Sequence, residues 1–170
     1  MRYDPFIHHR RSIRLKGYDY SQVGAYYVTI VAAHRECLFG EIENGEMCLN
    51  DLGNIVREEW LQTAQVRPNV ELDEFVVMPN HFHGILAIAG DDRAPHPGSL
   101  GAIMSQFKSI VTKRVNEMRD TPGAPVWQRN YYEHIMRDDG DLNRIREYII
   151  NNPANWDADD ENPKSARTMR

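Results

Sequence analysis

Val76-Val77-Met78-Pro79-Asn80-His81-Phe82-His83-Gly84-Ile85-Leu86 is the stretch on which the reading of this chain turns. Two apolar runs flank a Pro-Asn junction. Val70 to Met78 reads as one strand and His81 to Ala89 as its antiparallel partner. Side chains alternate faces along a strand, so His81 and His83 point one way and Phe82 the other. Phe82 can then anchor in a core while two imidazoles present nitrogens to one small volume, the start of a divalent-metal site. Two histidines at this spacing also suit a merely half-polar sheet face.

Working outward, Tyr26 to Ala32 is β-branched and aromatic and predicts a buried strand. Asn44-Gly45 between Cys37–Ile42 and Glu46–Leu49 predicts a hairpin. Asn50 or Asp51 can cap a helix running to about Gln65, with Leu52, Ile55, Val56 and Trp60 at helical spacing. The segment Gly90–Gly98 is loop, and His96 within it is expected to be an ordinary loop histidine. Ser99 caps a second helix, whose buried stripe is Leu100, Ile103, Met104, Phe107, Ile110, Val111 and Val115. Its polar side, with Gln106, Lys108, Lys113 and Arg114, suits either single-stranded DNA or plain solvation. A strand from Tyr131 to Arg137 follows, and Asp139 or Asp141 caps a last helix from Leu142 to about Asn151. The expected fold is α+β, an antiparallel sheet with helices packed on one side.

In that last helix Tyr148 and Asn152 lie four residues apart, hence on one face. A phenol beside an amide oxygen could serve a metal-bound phosphate. Equally, Tyr148 could edge the apolar stripe Leu142, Ile145, Ile149, and Asn152 before Pro153 could be a helix stop.

Composition sets the bounds. The chain has 170 residues, 41% hydrophobic and 26% charged, which suits one ordinary globular domain. No apolar run approaches the roughly 20 residues that span a bilayer, and the N-terminus carries no apolar signal region. The expectation is a cytoplasmic protein, with Cys37 and Cys48 as free thiols. The formal net charge is −5, awkward for contact with phosphate, but it is uneven. Residues 1–35 hold six basic side chains against two acidic, and residues 36–80 two basic against ten acidic. Arg10, Arg11 and Arg14 form a basic arm within residues 1–23 that could lie along a phosphate backbone. Residues 157–170 begin with an acidic run and are expected to be a disordered tail behind a single domain of residues 1–156.

Met78-Pro79-Asn80-His81-Phe82-His83, Trp127-Gln128-Arg129, Tyr132-Glu133-His134-Ile135-Met136-Arg137 and Tyr148-Ile149-Ile150-Asn151-Asn152-Pro153 occur in that order. In order and spacing they resemble the HUH single-tyrosine, IS200-like transposases, and more closely the REP-associated tyrosine transposases. The match runs from about Gly24 to Trp156. The resemblance implies the ferredoxin-like or RRM-like palm of HUH nucleases, with the histidine strand central in the sheet. It implies Tyr148 as nucleophile and His81, His83 and Asn152 as ligands to Mg²⁺ or Mn²⁺. Its reaction is nicking and rejoining of single-stranded or hairpin DNA through a 5′-phosphotyrosine, by a monomer or homodimer. Many single-tyrosine relatives carry Gln at the third ligand position; Asn152 is one methylene shorter. Glu133 and His134 are candidates for the surrounding shell, and Lys108, Trp127 and Arg129 for contact with DNA, Trp127 being equally a core residue. Tyr131 and Tyr132 are rival nucleophiles, but neither has an amide one helical turn on. Two other classes compete: a DNA-binding protein on the same palm that is catalytically silent or domesticated, and a metal-dependent hydrolase in which water attacks.

Overall fold

A computed structural model describes residues 24–89 and 99–165. The arm with Arg10, Arg11 and Arg14, and the loop with His96, lie outside the described residues. The elements are β1 (Gly24–Val31), β2 (Gly40–Glu43), β3 (Glu46–Leu49), α1 (Asp51–Val66), β4 (Val70–Val77), β5 (His81–Ile88), α2 (Leu100–Arg119), β6 (Tyr132–Ile135) and α3 (Asp139–Asn151). Single 3₁₀ segments follow β1, at Ala33–Arg35, and α3, at Pro153–Ala158.

Four strands form one antiparallel sheet in the order β4-β5-β1-β6, so the histidine strand is internal. Strands β2 and β3 form a separate hairpin. Asn44 and Gly45 turn it with φ of 52° and 77°, the left-handed pair that a tight hairpin of this twist demands. Asn50 caps α1 through its side chain, and Ser99 caps α2, as their sequence positions predict. None of the described helices is long and apolar enough to cross a membrane.

The expectation of helices on one side of the sheet is wrong for α3. One face of the sheet, through Val28, Ile30, Phe82 and Leu86, packs on Ile55, Val56 and Trp60 of α1 and on Met104, Phe107 and Val111 of α2. Phe82 is the anchor there, its ring 4.7 Å from Trp60 and 5.5 Å from Phe107. The other face packs Tyr27, Ile85 and Tyr132 against Ile145 and Ile149 of α3, with Leu142 and Tyr148 at the margin. Two apolar stripes on two faces need two helical layers, and among the described helices α3 covers the second. Burial of each aliphatic side chain in that smaller core contributes about 1.5–3 kcal/mol.

Two polar clamps fix α3 across the sheet. At the β6 edge, His134 Nε2 lies 2.7 Å from Asp141 Oδ2 in the first turn of the helix. At the β4 edge, Arg146 grips Asp73, with Nε–Oδ1 2.8 Å and Nη2–Oδ2 2.5 Å. Asp73 sits where the β4 register slips between Leu72 and Phe75. The cap of α3 is Asp138, whose side chain accepts from the Asp141 N–H, rather than Asp139 or Asp141. Asp141 is drawn away by His134 and by the Arg137 backbone N–H.

The expected disordered tail is also corrected, as far as residue 165. Glu161, Asn162 and Ser165 are buried, and the Arg35 guanidinium reaches Glu161, Nε–Oε2 3.0 Å, and the Asp160 carbonyl. An acidic run reads as solvated when its partner is distant in sequence. Here the partner, Arg35, is more than a hundred residues away.

Candidate active site

Register places the site groups together. His83 pairs with Thr29, His81 with Val31, and Ile85 with Tyr27, while Thr29 and Tyr27 pair with Tyr132 and His134. All of these share the face covered by α3. Both histidines are buried. Their rings stand 4.6 Å apart at 74°.

Each imidazole is held at Nδ1. The hydroxyls of Tyr27 and Thr29 both lie 2.8 Å from His83 Nδ1, and the Tyr27 ring stacks on His83 at 5.7 Å. His81 Nδ1 lies 2.9 Å from Asn80 Oδ1. With Nδ1 so engaged, Nε2 is the nitrogen of each ring through which a ligand would be held. His81 Nε2 meets Asp159 Oδ2 at 3.6 Å, and Trp156 lies 6.0 Å from the His81 ring.

Helix α3 brings in the phenol. Tyr148 stands edge-on to His83, ring centres 5.4 Å apart. Its hydroxyl is held well above the ordinary phenol pKa, first by burial and then by the charge of Asp159, while a hydrogen bond from Asn152 pulls the other way. An amide lowers a phenol pKa by donating N–H to its oxygen, so Asn152 Nδ2 faces Tyr148. Asn152 is almost fully buried, and its Oδ1 has no hydrogen-bond partner. A buried acceptor left this way costs about 1–3 kcal/mol unless a ligand satisfies it.

Among the described residues no three His, Cys, Asp or Glu side chains converge as a metal site. A mixed set could hold a hard divalent cation: the two imidazoles and the amide oxygen of Asn152, which has no hydrogen-bond partner, with Asp159 Oδ2 3.6 Å from His81 Nε2.

Other expected site residues fall elsewhere. Glu133 is buried on the opposite face, in register with Val28, because it alternates with Tyr132 and His134 along β6. His134 does share the site face, but its partner is Asp141. Trp127 is a core residue, 7% exposed, with Phe39 at 5.0 Å and Phe107 at 6.3 Å, so its face is not open to a base. Lys108 Nζ is tied to the carbonyls of Gln128 and Arg129 at 2.8 and 3.1 Å, and burial lowers its pKa. It clamps the 126–131 segment rather than presenting a free cation. Arg114, on the same helix, is paired with Glu58 and Glu59. Arg129 remains exposed. Tyr132 lies on the site face but is buried against Tyr27, and Tyr131 packs toward the other core.

Tyr27, Thr29, Asn80 and Asp159 are site residues that the sequence reading passed over. Alternation along β1 does place two hydroxyls, Tyr27 and Thr29, on one face, which is a usable signal. Asp159 gave none, being one carboxylate in an acidic run.

The arrangement is that of an α+β protein whose internal His-Phe-His strand faces a tyrosine helix from the same chain. The chain belongs to the IS200-like transposase family, since the profile described as "Transposase IS200 like" matches residues 22–152. An uncharacterized protein of Haemophilus influenzae is 44% identical over 93% of this chain and 96% of its own length. A second protein of that organism, provisionally named a REP-associated tyrosine transposase, is 26% identical over 80% of this chain and 73% of its own. The solved structure of a REP-associated tyrosine transposase bound to a REP hairpin shares the fold. Its TM-score is 0.60 at 21% identity, covering 85% of this chain and 73% of that one.

Proposed function

We propose that this transposase-family protein nicks and rejoins single-stranded DNA at hairpin-forming repeats, with Tyr148 as nucleophile. The observation that carries this reading is the position of Tyr148. It lies edge-on to His83, hydrogen-bonded to Asn152, whose buried carbonyl oxygen has no partner. The described residues of one chain include all of these groups.

His81, His83 and Asn152 would hold a Mg²⁺ or Mn²⁺ ion, which when bound polarises the scissile phosphate and offsets its developing charge. Tyr148 Oη attacks phosphorus. The Oη–P bond forms, the P–O3′ bond breaks with its electron pair leaving on O3′, the phenolic proton is lost to solvent, and O3′ is protonated. The 5′-phosphotyrosine keeps the phosphodiester energy, so attack by another 3′-hydroxyl reverses the step and joins strands without ATP. Asn152 serves Tyr148 directly, since its N–H favours the phenolate. The packing of α3 on Tyr27 and Ile85 holds the phenol in reach.

The hairpin partner is supported by the family and by the fold shared with a REP-hairpin complex. The test uses end-labelled hairpin DNA with Mg²⁺ or Mn²⁺ on a denaturing protein gel. Label should travel with the wild-type protein, and not with Tyr148→Phe or His81→Ala. Cleavage that survives Tyr148→Phe without an adduct would show water to be the nucleophile. Binding with neither would favour a catalytically silent DNA-binding protein.

A further inference from the structure

Asn80 is fully buried at the tight turn into β5, and no catalytic step uses it. Its side chain makes three contacts. Nδ2 donates to the Arg35 carbonyl at 3.0 Å and to the Glu161 carbonyl at 2.7 Å, and Oδ1 lies 2.9 Å from His81 Nδ1. Backbone carbonyls only accept, so both amide hydrogens must face them, and the amide orientation is determined. Oδ1, which only accepts, therefore faces His81, and His81 Nδ1 must carry the proton. A neutral imidazole has one N–H, so neutral His81 has its lone pair on Nε2, the nitrogen that lies 3.6 Å from Asp159 Oδ2.

We infer that Asn80 is a positioning residue that locks His81 in the Nδ1–H tautomer, aiming its Nε2 lone pair at the metal position. The importance of that lone pair rests on the metal-bound reading above; the tautomer itself does not. The device also ties the histidine to two remote segments. The turn at Arg35, with φ of 55°, and the C-terminal segment at Glu161 each supply one carbonyl. Arg35 and Glu161 are in turn paired with each other. Neither a leucine nor an alanine at position 80 could satisfy this set, because only a planar amide offers two donors and one acceptor in that spread.

The experiment reads ring nitrogens in ¹⁵N-labelled protein kept free of metal by chelator, at about pH 8, where an ordinary imidazole is neutral. Long-range proton–nitrogen correlation distinguishes protonated from unprotonated nitrogen. Wild-type His81 should show a protonated Nδ1 and a bare Nε2. In Asn80→Ala the His81 pattern should become a tautomer mixture, while His83, held by Tyr27 and Thr29, keeps its pattern and so reports an intact fold. If wild-type His81 carries its proton on Nε2, or if Asn80→Ala leaves the pattern unchanged, the inference fails. Should Asn80→Ala not fold, the wild-type spectrum still decides. Mn²⁺ titration, read by the loss of free-ion paramagnetic signal, gives the consequence. Asn80→Ala should bind about 10- to 100-fold more weakly, the usual loss for a residue behind a ligand. Equal affinity would overturn the positioning role. A wild-type protein with the expected tautomer and no Mn²⁺ uptake would sink the metal reading and leave the lock standing.

Discussion

The Tyr148 ring meets the His83 imidazole edge-on, with centres 5.4 Å apart and planes at 66°, so aromatic packing helps set where the phenol sits. Tyr148→Phe keeps that packing and removes one oxygen. Its unfolding free energy should fall by about 1–2 kcal/mol, since no core volume is lost but the buried Asn152 N–H loses its acceptor. Urea denaturation checks this. A loss beyond about 2 kcal/mol would mean the hydroxyl is chiefly structural, and the missing adduct in this variant could not then be assigned to chemistry.

The phenol's environment makes a pH prediction. Burial and Asp159 raise the Tyr148 pKa above that of an ordinary tyrosine. A group that holds its proton more tightly when folded stabilises the fold at pH below its unfolded pKa. That contribution is lost as pH rises from about 10 through the folded value, because only the unfolded chain then gains by ionising. Ring-carbon NMR of labelled tyrosine should find Tyr148 ionising later than free tyrosine added as a reference. Asp159→Asn should bring its midpoint down. A Tyr148 that ionises with the bulk, or that ignores Asp159→Asn, contradicts this account.

The sheet was legible because alternation has only two outcomes. Once Phe82 is placed inward, His81 and His83 must share the other face, and β5 is framed by strands that read plainly as strands. Tyr148 and Asn152 were legible for the same kind of reason, four residues being about one helical turn. What periodicity cannot supply is which face of the sheet a helix covers. Hence the sequence expectation puts α3 with α1 and α2, leaves Trp127 open between core and DNA, and turns Lys108 toward solvent or DNA. Asp159 was hidden for a different reason. Its contact with His81 depends on the Arg35–Glu161 pair, which folds an acidic run back across more than a hundred residues. No local pattern encodes that return.

Trp127 provides a direct check on the correction. Packed on Phe39 and Phe107, it should behave as core: Trp127→Ala should cost about 3–5 kcal/mol in urea unfolding. Trp127→Phe retains most of that packing. If this variant binds hairpin DNA as the wild type does, base stacking by Trp127 is excluded. Weakened DNA binding by a Trp127→Phe protein of near-native stability would instead return the residue to the interface.

Arg146 and Asp73 decide how firmly the nucleophile is held, because they pin the middle of α3 to the β4 edge while His134 and Asp141 pin its start. The hydrogen bond from Arg146 lowers the Asp73 pKa, opposed by partial burial. A carboxylate depressed in the folded state stabilises the fold above its unfolded pKa, and that contribution disappears as pH falls through the folded value. Arg146→Gln should therefore differ from wild type at neutral pH and converge with it in acid. The effect belongs to α3 alone. Amide hydrogens of α3 should exchange faster in Arg146→Gln while those of α1 and α2 keep their protection. Since misplacing a reacting group by about 1 Å can cost around a hundredfold in rate, adduct formation should slow by roughly ten- to a hundredfold, with hairpin affinity little changed. Uniform acceleration of exchange across all three helices would show the pair to be a general stability element. Unchanged exchange with unchanged adduct rate would show that the apolar contacts of Ile145 and Ile149 suffice to hold Tyr148 in place.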